Sequence, residues 1–160
     1  MPYNLDKFHI KGISINIEGR EVKNWNQPIV YDPYLEEYMQ IIIKDEENIY
    51  MLLKAHSEPG YEFGFTFGPT SIIKNKKGKV ESQNLIEQFS QHGKVELIKK
   101  IQMSEEGARF FHTCVDHTFY EIQTPIEKLE LEDFEIFSLQ EVNEINSQRL
   151  LSMEGRSILF

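Results

Sequence analysis

The apolar positions from Phe8 to Ile17 fall mostly on alternate residues, with one slip at Gly12. A period of two gives one buried and one wet face, so this stretch is expected to be a strand with a bulge at the slip. Glu18-Gly19-Arg20 follows as a turn. Tyr38–Ile43 and Ile49–Leu53 are two more apolar strands, joined by the polar run Lys44-Asp45-Glu46-Glu47-Asn48, which has the length of a hairpin loop. Phe63, Phe65 and Phe67 share one face of a further short strand. Asn75 to Gly78 reads as a basic turn. Ser82-Gln83-Asn84 offers caps to a helix carrying Leu85, Ile86 and Phe89 on one side.

Alternation returns from Lys94 to Ile101, and Phe110 to Ile122 is aromatic and β-branched enough to be strand. Ser138 with Glu141 three residues on forms a capping box ahead of Leu139, Val142 and Ile145. A second short helix is expected from about Gln148 to Leu159. Strands first, a helix in the middle and helices at the end make an α+β domain with a mixed or antiparallel sheet and flanking helices.

Composition narrows the function. A length of 160 residues suits one domain, read as residues 1–160, and is short for two. The net charge of −9 disfavours nucleic acid and anionic membrane as partners, although Lys74, Lys76, Lys77 and Lys79 cluster locally. Cys114 is the single cysteine, which excludes an internal disulfide framework and reads as a small packed side chain. The N-terminus lacks a signal-peptide pattern and no apolar run is long enough to span a bilayer, so a cytoplasmic protein is expected.

Strong catalytic signatures are missing: no phosphate-cradling glycine loop, no GxGxxG, no paired cysteines and no HExxH. The five histidines are scattered. His112 and His117 are close enough in sequence to meet across a turn, but a zinc site needs more ligands, so no metal is expected.

Three polar segments lie in aromatic, turn-rich surroundings. Arg20 to Pro28 holds the only tryptophan. Trp25 beside amide side chains is either a flat platform for a sugar or base, or a lid packed on the core. Lys54 to Tyr61 follows an apolar strand and is either a binding loop or a plain Pro-Gly turn. Gln102 to His112 combines adjacent carboxylates, Arg109 and His112, which supply an acid and a base if they share a cleft, or else form a solvated turn.

Taken in order, these segments resemble the NDP-hexose 2,3-dehydratase family of deoxysugar biosynthesis. Arg20-Glu21-Val22-Lys23-Asn24-Trp25-Asn26-Gln27-Pro28-Ile29 resembles the family's REV-x-x-W-x-QP stretch. Glu58-Pro59-Gly60 with Gly68-Pro69-Thr70 is similar to its AEPG and PT pattern. Ser104 to His112 resembles SEEGGRFYH, Glu154-Gly155-Arg156-Ser157-Ile158-Leu159 resembles EARSLL, and Phe134 to Leu139 resembles the segment before the preceding helix.

The resemblance implies a lyase that removes water across C2–C3 of a nucleoside-diphosphate 4-keto-6-deoxyhexose, dTDP-linked, without an organic cofactor. It implies a Nudix-like α+β fold, and the chain carries no Nudix-box spacing, so no Mg²⁺-dependent hydrolysis is expected. The family is built from two tandem copies of this fold. The chain reads as one copy, for which a symmetric homodimer is the expected remedy. Glu106 and His112 are then the acid and base, and Arg109 neutralises an enolate or the diphosphate. Trp25, Gln27, Glu58, Arg20 and Arg156 bind substrate. His56 stands where the family has Lys, and Ile73 to Gly78 replaces its polar SNYTRVH-like stretch. The alternative reading is a non-catalytic sugar-nucleotide-binding or regulatory domain of the same fold, and a third is an interaction domain without a small ligand.

Overall fold

The computed structural model describes residues 9–31, 36–57, 59–74, 76–104, 110–111, 114–129 and 131–159. They form two compact units, one from residues 1–35 and 102–115 and one from 36–101 and 116–160. Among the described residues no helix is long and apolar enough to cross a membrane.

The smaller unit is built on an antiparallel hairpin of β1 (His9–Asn16) and β2 (Asn24–Tyr31). The turn between them is closed by the Ile17 N–H donating to the Lys23 carbonyl at 2.8 Å, with Gly19 at a φ of 84°. Residues with a Cβ are strained at such a φ, so glycine fits this turn. The bulge expected at Gly12 does not form: Gly12 pairs with Pro28 in an unbroken register from His9–Tyr31 to Asn16–Asn24. Most of β1 is exposed, so no buried face demands that the alternation be repaired.

The larger unit is a sheet in the order β5 (Phe65–Gly68), β4 (Asn48–Ser57), β3 (Glu36–Asp45), β8 (Cys114–Gln123), β7 (Val95–Ser104). β6 (Ser71–Ile73) pairs with the start of β3, and β9 (Phe134–Ser138) with β4. β3 and β4 pair antiparallel across Glu46-Glu47, a tighter connection than the five-residue loop expected, with Glu46 at a φ of 52°. Contacts between β3 and β8 advance together, from Glu37–Thr118 to Lys44–Thr124 and Asp45–Ile126, so these strands run parallel and the sheet is mixed.

Alternation on β3 sends Met39, Ile41 and Ile43 into a core completed by Leu52, Ile122 and Phe89 of α1 (Lys76–Ser90). α1 begins about six residues before the expected cap. Ser82, deep in the helix, is buried and shares a 2.8 Å hydrogen bond with Ser71 of β6 instead of capping. α2 (Leu139–Ser147) starts at the expected box: the Glu141 N–H donates to the Ser138 hydroxyl and the Glu141 carboxylate accepts from the Ser138 N–H. The final helix is shorter than expected. Arg149 adopts a φ of 60°, Leu151 is buried, and α3 (Met153–Ser157) restarts behind the Ser152 cap. The class is the α+β one expected, with a mostly antiparallel sheet and flanking helices.

Candidate functional site

The hairpin of the smaller unit positions Trp25 and Gln27 two apart on β2, hence on one face, opposite Ile15 and Ile13 of β1. The Trp25 indole N–H donates to Gln27 Oε1 at 2.8 Å, which fixes the ring against its own strand. Trp25 is half-buried, so it is neither a sealed core lid nor a free platform. Arg20, Glu21, Val22 and Trp25 line an open hollow of about 450 Å³ beside the turn. A guanidinium and an indole on one rim suit a ligand with an anionic and a flat part. On the other face Ser14 donates to Asn26 at 2.6 Å.

The far end of this face is aromatic. Lys11 Nζ lies 3.6 Å from the Tyr31 ring centroid, and Tyr31 faces Phe111 at 6.4 Å. Phe110 bridges Val30 in parallel, and the Phe111 N–H donates to the Val30 carbonyl at 2.9 Å. Phe110 and Phe111 of the segment Ser104–His112 are therefore tied to β2, the strand that carries Trp25 and Gln27. Glu106, Arg109 and His112 of that segment, and Glu58, lie outside the described residues.

The other two segments meet in the larger unit. The Phe67 N–H donates to the Leu150 carbonyl at 2.7 Å and the Ser152 N–H to the Phe67 carbonyl at 2.9 Å. Gly155 of α3 packs so closely that an added Cβ would sit 2.7 Å from the Phe67 carbonyl oxygen. An added Cβ at Gly68 would sit 2.8 Å from the His56 ring. Both glycines permit a close approach, which accounts for them in architectural terms. Arg156 is exposed on α3.

Thr70, 1% exposed, sits where the sheet forks. Its hydroxyl accepts from the Ile41 N–H at 2.9 Å and donates to the Leu52 carbonyl at 2.6 Å, and Gln40 Nε2 also donates to Leu52 O at 3.0 Å. The hydroxyl thus fills the place of a ladder bond between β3 and β4.

One polar cluster was not foreseen. On the core-side face of β8, Thr118 donates to Glu37 of β3 in a short hydrogen bond. Asp116, mostly buried, holds Lys100 of β7 at 2.8 Å. This bond raises the Lys100 pKa above the usual lysine value, against a smaller opposing effect of burial. Burial, then the Glu37 charge, pushes the Tyr120 phenol up. Two carboxylates, an ammonium, a phenol and a hydroxyl on adjacent strands are the ingredients of proton transfer and of anion stabilisation. On the opposite face His117 is 3% exposed, meets Tyr38 edge-on at 5.2 Å, and leaves Nδ1 without a hydrogen-bond partner. Burial lowers its pKa, opposed by Asp116. The readable signal was Asp116-His117-Thr118, three polar residues inside an apolar strand. Among the described residues no group of three His, Cys, Asp or Glu side chains is arranged to hold a metal ion.

The family model of the NDP-hexose 2,3-dehydratases matches residues 4–160. The chain belongs to that family. No curated protein matches it. Solved structures similar to this family member include an Ap4A hydrolase from C. elegans, 14% identical, covering 71% of this chain and 86% of that one, with a TM-score of 0.46. The NUDIX domain of Shewanella oneidensis NrtR, complexed with ADP ribose, is 12% identical over 79% of this chain and 88% of that one, with a TM-score of 0.39. An ADP compounds hydrolase is 13% identical over 86% and 75%, with a TM-score of 0.45.

Proposed function

We propose that this dehydratase-family chain, one Nudix-like domain, removes water across C2–C3 of a nucleoside-diphosphate 4-keto-6-deoxyhexose, dTDP-linked, to give a 3,4-diketo-2,6-dideoxy sugar nucleotide. The observation that carries the reading is the family match over residues 4–160. It is supported by the tie between Phe110-Phe111 and the strand of Trp25.

The 4-keto group acidifies the C3 proton. A base removes it, the resulting enolate expels the C2 hydroxyl as an acid protonates it, and the remaining enol relaxes to the 3-ketone. No organic cofactor is required. Glu106 and His112 are assigned as acid and base. Arg109 neutralises the enolate or the diphosphate. Trp25 and Gln27 hold base or sugar, Arg20 and Arg156 meet the diphosphate, and Glu58 orients a hydroxyl. The working form is a cytoplasmic homodimer.

The test is incubation with dTDP-4-keto-6-deoxyglucose, trapping the vicinal diketone with o-phenylenediamine and detecting the adduct by mass. Trapped diketone supports the reading, and Glu106→Gln and His112→Ala should each lower its rate on the order of 10²-fold. Unchanged substrate with nucleotide-dependent thermal stabilisation leaves the binding-domain reading, because a ligand of the native state raises stability by mass action. Neither effect leaves an interaction domain.

A further inference from the structure

We propose that Lys100 of β7 and Tyr120 of β8 together hold the 4-oxygen of the keto-sugar while it carries the enolate charge, with Asp116 anchoring the ammonium. The inference rests on the reading above that the substrate is a keto-sugar losing its C3 proton, and it leaves Arg109 the diphosphate. The cluster lies in the larger unit, on neighbouring strands in the order β3, β8, β7. Asp116, Thr118 and Tyr120 are two apart along β8 and so share a face. That face is apolar at Ile122, where it joins the core, and turns polar towards Asp116.

Both carboxylates are engaged. Glu37 accepts from Thr118, and Asp116 accepts from Lys100 at 2.8 Å. The donors are not used up. An ammonium has three N–H groups, and the Lys100 side chain is 49% exposed against 10% for Asp116, so the charge is anchored on its buried side and open on the other. Among the described residues nothing hydrogen-bonds the half-buried Tyr120 phenol. The bond to Asp116, against burial, keeps Lys100 charged, while burial and then Glu37 keep Tyr120 protonated. The Lys100 charge also acts on the phenol and the phenol on the ammonium, so the two heads lie in one field. A fixed cation beside a neutral O–H is a donor pair organised in advance for a developing oxyanion. Neither group suits the abstraction itself, since Lys100 has no free lone pair and Tyr120 keeps its proton.

As the C3–H bond breaks, its electron pair forms the C3–C4 double bond and the C4–O π pair moves onto oxygen. Lys100 and Tyr120 donate hydrogen bonds to that oxygen without giving up a proton. The pair then returns, the C2–O bond breaks, and the hydroxyl leaves as water with the proton of the acid.

The test follows deuterium lost from C3 of dTDP-4-keto-6-deoxyglucose labelled at that carbon, which reads the enolate step whether or not water then leaves. Tyr120→Phe and Lys100→Met should each slow the loss on the order of 10²-fold in kcat, and Lys100→Arg, which keeps a cation and its donors, should recover part of it. Thermal stabilisation by dTDP, which has no keto group, should stay at the wild-type level in all three, with the fold checked by circular dichroism. Tyr120→Phe keeps the ring packed, so it decides the matter if Lys100→Met, which leaves Asp116 unpaired, does not fold. A wild-type rate in Tyr120→Phe, or a rate and a dTDP stabilisation that fall together, overturns the proposal. Label loss that depends on Tyr120 but yields no trapped diketone sinks the dehydration reading and supports this pair. Trapped diketone with an unaffected Tyr120→Phe does the reverse, and a wild type that keeps its label overturns both.

Discussion

The fork at Thr70 gives the sharpest test of how the sheet is held. Thr70→Val keeps the shape of the side chain and removes only the hydroxyl. Leu52 O retains Gln40 Nε2 as a donor at 3.0 Å, so the damage falls on one group, the Ile41 N–H. Ile41 is fully buried, and water cannot reach that amide without opening the sheet. A buried donor left unpaired costs about 1–3 kcal/mol, and the lost threonine bond to Leu52 adds up to about 1 kcal/mol. The expected loss is therefore about 2–3 kcal/mol. For a chain of this size that lowers Tm by about 4–12 °C.

Thr70→Ser is the control. It keeps both hydrogen bonds and gives up one methyl group, worth about 1 kcal/mol. Urea unfolding followed by circular dichroism, with a common m-value, should rank wild type above Ser above Val. A Val variant as stable as the Ser variant would mean that β3 and β4 close directly at Ile41 and Leu52, and the wedge reading would fall.

The close approach of α3 predicts that Gly155→Ala costs on the order of 2 kcal/mol or more, because the added Cβ meets a backbone oxygen that cannot rotate away. Gly12→Ala, with nothing within 4 Å, should be neutral or stabilising by up to about 1 kcal/mol, and equal melting points for the two variants would refute the contrast. Ser138→Ala should cost about 1 kcal/mol by removing the cap of α2, read from chemical denaturation. His117 titrates below its ordinary value because burial disfavours its cation. The unfolded chain then takes a proton near pH 6.5 before the native state does, so this group's share of stability is full above that pH and declines as the pH falls. His117→Phe should flatten the fall between about pH 7 and pH 5 relative to wild type. Identical slopes in denaturant titrations would show that His117 is not the group responsible.

Local chemistry was legible in the chain. The capping box at Ser138 and Glu141, the turn at Gly19 and the apolar strand over Tyr38–Ile43 each rest on neighbours within a few residues, and each formed as expected. The family segments were legible too, because their residues stand in a fixed order. Their physical reasons were not. Gly155 and Gly68 serve close packing, and Thr70 completes a sheet fork, while in a bare sequence all three read as motif letters.

What the chain determined by itself is part of its set of elements, its class and its family, since these depend on periodicity, caps and residue order; strands β2, β6 and β9 were not among the elements expected. Only the tertiary structure decided that α1 starts before Ser82, that Phe110 and Phe111 are tied to the strand of Trp25, and that Asp116, Thr118, Glu37 and Lys100 share one sheet face. Those outcomes join residues up to 81 positions apart. Strand order and the parallel pairing of β3 with β8 bring them together, and no pattern read over a turn or a single strand contains that information.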